Sequence, residues 1–135
     1  MTLETTKQSL EKWHHMIQTG DMSSLNELLA DDVVFRSPVA YKPYEGKHVV
    51  FFILTNVIQV FQDFTYHREF YTEDGENVVL EFSANVSGKS LKGIDMIRFN
   101  EQGKIIDFEV MIRPMSGLAA LAEQMGARFA KYQPN

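Results

Sequence analysis

Asp95 is a carboxyl group set in an apolar stretch, and that combination can do chemistry with a single side chain. Leu91, Gly93, Asp95, Ile97 and Phe99 share one parity, while Lys92 and Arg98 fall on the other. Strand side chains alternate between faces, so Asp95 sits on the more apolar face. A carboxylate moved out of water resists ionisation and its pKa rises. In its neutral form it can donate a hydrogen bond or a proton to a ligand oxygen. The competing reading is a structural pair, with His14, His15, Arg36, His67 or Arg113 as partner. Spacing does not choose among them.

Other side chains carry weaker signals. Trp13 lies on the apolar stripe Leu10, Trp13, Ile17, which suits a pocket wall and plain core equally. His14 and His15 are adjacent and point in different directions on a helix. They lack the His-x-x-x-His spacing of a zinc helix, so no metal is expected. Ser37 precedes Pro38 and is held extended by proline sterics. It could donate to a ligand or cap a turn. Tyr41 and Tyr44 could line the mouth of a pocket or pack a loop on the helix that follows. Phe35, Ile53, Ile97, Phe108, Val110 and Ile112 are expected as cavity wall or core, with Leu54 as a further ligand-contacting position. Gly88-Lys89-Ser90 is not a phosphate loop, because Ser83 stands where the first glycine belongs.

These residues need elements to position them. Glu4 to Thr19 reads as a helix, stopped by Gly20. Ser24 to Ala30 reads as a second helix, with Ser24 and Glu27 at capping-box spacing. Val33 to Ser37 is a strand ended by Pro38, and Val39 to Gly46 a loop. Lys47 to Phe61 is apolar nearly all round and is expected to be a buried helix. The period then changes to two. Strands are expected at Phe64 to Tyr71, Val78 to Ser87, Leu91 to Phe99 and Ile105 to Arg113, with turns at Glu73 to Glu76, Ser87 to Ser90 and Asn100 to Gly103. A last helix starts near Ser116, with Leu118, Leu121, Ala122, Met125 and Phe129 on one stripe. Helices, one strand, a buried helix and then an antiparallel meander make an α+β fold. A curved antiparallel sheet closed by N-terminal helices leaves a cone-shaped pocket, and a C-terminal helix follows.

The chain of 135 residues reads as one domain, 1–135, able to form a core without disulfides. Its net charge of -5 argues against a nucleic-acid partner. No cysteine is present, and the N-terminus lacks the plan of a signal peptide. No stretch reads as a membrane span. A cytoplasmic location is the expectation.

Several motifs in order resemble the nuclear transport factor 2-like superfamily and its SnoaL-like domains. They are Gly20-Asp21, Leu29 to Phe35, Ser37-Pro38-Val39, Pro43 to Gly46, Gly93 to Phe99 and Gly103-Lys104-Ile105. The resemblance spans nearly the whole chain and implies the cone fold. Members include ketosteroid isomerases, polyketide cyclases, epoxide hydrolases and non-catalytic transport or assembly domains. Ketosteroid isomerases use a carboxylate base, with a tyrosine and a protonated aspartic acid as oxyanion donors. By local register the base position falls on Ser37, the tyrosine on Trp13, a supporting tyrosine near Leu54 and the aspartic acid on Asp95. Serine cannot be that base, so ordinary ketosteroid isomerisation is not expected.

Two function classes follow. The first is a cofactor-independent isomerase, cyclase or hydrolase of a small apolar oxygen-containing substrate, with Asp95 as acid. His14, His67 or Glu81 could then replace the base. The second is a non-catalytic ligand-binding or dimerisation domain. Ile94, Met96, Ile105 and Met111 lie on the parity opposite Asp95, and such a patch points to a homodimer through the sheet. The alternative is that the final helix covers it.

Overall fold

The computed structural model describes residues 3–130. Helix α1 is Leu3–Thr19, α2 Leu25–Leu28, α3 Lys47–Val60 and α4 Met115–Ala130. The strands are β1 Leu29–Arg36, β2 Tyr44–Glu45, β3 Gln62–Tyr71, β4 Asn77–Val86, β5 Lys89–Phe99 and β6 Ile105–Arg113. They form one six-stranded sheet in the order β2-β1-β6-β5-β4-β3. The pairs are antiparallel except β1 with β6, which is parallel. The architecture is α+β, with a curved, unclosed sheet wrapped over helices in a cone-like shape.

Alternation builds the inner face. On β4 the residues Val78, Leu80, Phe82, Ala84 and Val86 are all buried. Opposite them on β5 stand Ile97, Asp95, Gly93, Leu91 and Lys89 in register. One end of this face packs on α1, α2 and α3 through Leu10, Met16, Leu25, Val50 and Ile53. The other end packs on α4 through Leu121 and Met125. Helix α4 therefore covers the inner face and leaves the outer one open. Among the described residues, no helix is long and apolar enough to cross a membrane.

Local pattern and tertiary pairing disagree in four places. The second helix is one turn long, and Leu29 and Ala30 belong to β1. Leu29 is fully buried and pairs with Ile105, so the ladder claims a residue that helical spacing would use. Ser24 makes no side-chain cap; the backbone N–H of Glu27 reaches its carbonyl at 3.2 Å instead. The loop before α3 contains β2, where Tyr44 pairs with Phe35. Helix α3 is buried on one face only, at Val50, Ile53, Leu54 and Val60, while Val49 is 40% exposed. Finally, the β5–β6 register shifts between Arg98 and Phe99. That irregularity turns Ile105 inward, where it is fully buried, so it does not belong to the outer patch.

Candidate functional site

Helix α1 is fastened to the sheet by two buried hydroxyls. Thr6 Oγ1 donates to the Gly75 carbonyl at 2.5 Å, and Ser9 Oγ donates to the Gly103 carbonyl at 2.6 Å. Both acceptors lie in turns between strands, so the helix is fixed against the sheet's rim. One turn further on, Trp13 enters the cone and its ring lies 5.3 Å from that of Phe108 on β6.

Asp95 reaches the same space from the middle of β5 and is 5% exposed. Its partner is Tyr66 on β3, whose hydroxyl donates to Asp95 Oδ2 at 2.6 Å. The indole Nε1–H of Trp13 in turn donates to the Tyr66 oxygen at 2.8 Å. Three elements thus converge in a directional chain of donors from Trp13 through Tyr66 to Asp95. Phe64 holds the Tyr66 ring edge-on at 4.8 Å and stacks on Phe82 at 4.9 Å.

Burial dominates the electrostatics. Loss of water pushes the Asp95 carboxyl up to about 7, against the smaller opposing effect of the Tyr66 hydrogen bond. The same burial, followed by the charge of Asp95, raises the Tyr66 hydroxyl well above its ordinary value. Tyr66 is only half-buried as a residue, but the oxygen that titrates sits at the enclosed end of its ring beside Asp95. Asp95 therefore keeps its proton to far higher pH than an exposed carboxyl, and it can accept or deliver one.

These groups open on a cavity of about 40 Å³. Its wall includes Trp13, Phe35, Pro38, Leu54, Val57, Ile58, Phe61, Phe64, Phe108, Val110 and Leu121. A second chamber of about 150 Å³ adjoins it and shares Phe35, Pro38, Val57 and Leu121. Asp95 and Tyr66 are the titratable side chains lining the first cavity.

Trp13, Phe35, Leu54, Phe108, Val110 and Asp95 therefore meet in one place. The other candidates lie elsewhere. Ser37 is on the wall of the second chamber, and its Oγ accepts the Val39 N–H at 3.1 Å. Tyr41 is fully exposed, at the edge of a shallow surface groove. Ile97 is buried in the core beside the cavity, and Ile112 packs at the α4 end of the sheet. None of the charged partners considered for Asp95 reaches it. His14 pairs with Glu69, Arg36 with Asp107 at 3.2 Å, and His67 contacts Ser83 at 2.8 Å. Glu81 lies on the outer face between Arg68 and Lys92, and the Arg68 hydrogen bonds hold its carboxyl down at about 2. Tyr66 stands outside the candidates that strand parity singles out. Its signal was its place two residues from Phe64 in an amphipathic strand. Among the described residues, no group of three or more His, Asp or Glu is placed to hold a metal ion.

Residues 10–108 match the SnoaL-like domain family. A crystal structure described as a steroid delta-isomerase from Pseudomonas aeruginosa is 56% identical, with a TM-score of 0.92, covering 95% of this chain and 93% of that one. An uncharacterised protein with a cystatin-like fold from Silicibacter pomeroyi is 36% identical, with a TM-score of 0.84, covering 91% of this chain and 86% of that one. An NTF2-like protein of unknown function from Mesorhizobium loti is 18% identical, with a TM-score of 0.72, covering 82% and 93%. That third likeness bears on the fold alone. No curated protein matches the chain.

Proposed function

The chain belongs to the SnoaL-like domain family, and from that premise we propose that it binds a small, mostly apolar molecule through an oxygen atom presented to Asp95. The observation that carries this is a carboxyl group buried among aromatic and aliphatic walls, partnered by a tyrosine and not by a cation. A structural carboxyl in such a place is normally neutralised by an arginine or lysine. Asp95 instead keeps a proton it can share. It acts as acid or hydrogen-bond donor to the ligand oxygen, with Tyr66 positioning it and Trp13 positioning Tyr66. A proton-donating carboxyl fits cofactor-independent isomerisation, cyclisation or hydrolysis. Likeness to a protein described as a steroid delta-isomerase favours isomerisation among these. The absence of cysteine in the sequence suits a cytoplasmic setting.

A second reading, binding without turnover, is favoured by one feature. Ser37 offers no carboxylate, and His14, His67 and Glu81 are engaged outside the cavity. Turnover would then need Asp95 alone to take up and return the proton.

The test is direct. Native mass spectrometry of the purified protein should show a bound small molecule, and Asp95→Asn should weaken its binding at least tenfold while the fold persists. Unchanged affinity rejects the role given to Asp95. An unsaturated ketosteroid, followed by absorbance, is expected to be turned over no faster than in buffer. Rapid turnover that Asp95→Asn abolishes would reject binding alone and show that Asp95 is required while another residue supplies the base.

A further inference from the structure

We propose that the ligand is an amphiphile, with an oxygen-bearing head at Asp95 and an apolar tail in the chamber roofed by α4. The proposal rests on the reading of Asp95 above and adds the class of molecule. The inner cavity, at about 40 Å³, has room for little more than a carbonyl and its nearest carbons. Anything larger has to continue into a neighbouring space, and the outer chamber adjoins. Phe35, Pro38, Val57 and Leu121 face both the inner cavity and the outer chamber of about 150 Å³. The two spaces therefore adjoin at these four side chains. The outer room is walled by Ile53, Met125 and Phe129, which suits hydrocarbon. Its polar groups, Ser37 and Tyr44, belong to the β1 end and β2. Ser37, Pro38 and Val39 also border the surface groove, so the outer room lies next to solvent-facing surface.

Helix α4 sets the space available. Ala122 and Gly126 stand one helical turn apart on the chamber wall. A Cβ added at Gly126 would meet nothing within 4 Å. A glycine inside a helix weakens it, and no close neighbour requires the side chain to be missing here.

Trp13 is the sole tryptophan and lines the inner cavity, so its fluorescence reads occupancy. The probes are 2-pentanone, 2-heptanone and 2-nonanone. In the unmodified protein, affinity should rise about fourfold per added methylene, the usual effect of burying one. Gly126→Leu adds a side chain to the lining of the outer room and is meant to fill it. It should bind 2-pentanone as before and lose at least tenfold on 2-nonanone. If Gly126→Leu fails to fold by circular dichroism, Ala122→Phe makes the same test. An equal chain-length gain in the filled variant overturns the proposal, as does a flat series or no ketone binding. Asp95→Asn separates the two readings. If it leaves all affinities unchanged while the chain-length gain persists and the filled variant loses it, the head assignment fails and the tail chamber stands.

Discussion

At the scale of single residues, the environment of Asp95 opposes its charge, and this ties stability to pH. Its folded pKa of about 7 lies above the ordinary value of about 3.9. The stability it contributes is therefore fully present below about pH 4 and is lost as pH rises through about 7. Over that window the displacement corresponds to about 4 kcal/mol. Asp95→Asn keeps an oxygen to accept from Tyr66 and removes the ionisation. Urea unfolding at about pH 5 and about pH 8 should show the variant gaining on the parent at the higher pH. Equal pH dependence of the two would contradict the burial. Tyr66→Phe acts on the same pair from the other side. It takes away the hydrogen bond that lowers the Asp95 pKa, and it strands the Trp13 Nε1–H. The pH midpoint read by Trp13 fluorescence should move upward, with a stability loss of about 1–3 kcal/mol. Asp95 could be singled out from sequence because strand parity is local. Tyr66 could not be assigned to it, because register shifts at both ends of its stretch of β3 decide which face it takes.

At the scale of elements, α4 owes its place on the inner face to a glycine. A Cβ at Gly117 would come within 2.7 Å of the Leu91 Cβ and 3.0 Å of the Ser90 carbonyl oxygen. Gly117→Ala should push the helix off β5 and cost about 1–3 kcal/mol, seen as a lower thermal midpoint. A midpoint at or above that of the parent would mean the helix docks elsewhere. The long elements were legible because their periodicity runs for many residues. The α1 stripe and the β4 alternation each place a whole face. What escaped was set by neighbours distant in sequence. Leu29 carries a helical spacing but pairs with Ile105. Ile105 carries an outward parity but is turned inward by the β5–β6 irregularity. Neither strand contains the information that corrects it.

At the scale of the whole molecule, the outer sheet face is left uncovered by every described helix. Phe70, Met96 and Met111 stand on it at 53%, 36% and 46% exposure. Around them lie Arg68, Lys92, Arg98 and Arg113 together with Asp107 and Glu109. A surface carrying apolar groups and both signs of charge suits a second copy of itself about a twofold axis. Light scattering at micromolar concentration should give the mass of a dimer, and Met96→Lys should shift it toward monomer. A monomer mass for the parent would remove the proposal. The parallel pairing of β1 with β6 has a consequence of another kind, for the order in which the protein can be made. Arg36 waits for Glu109 as its ladder partner. A ribosome releases the chain from its N-terminus, so β1 emerges long before the strand that flanks it in the sheet. Until β6 has been synthesised, β1 has only the two residues of β2 beside it. β1 therefore completes its pairing only after β6 has been made, and until then it presents an unpaired edge of the kind that can pair with other chains.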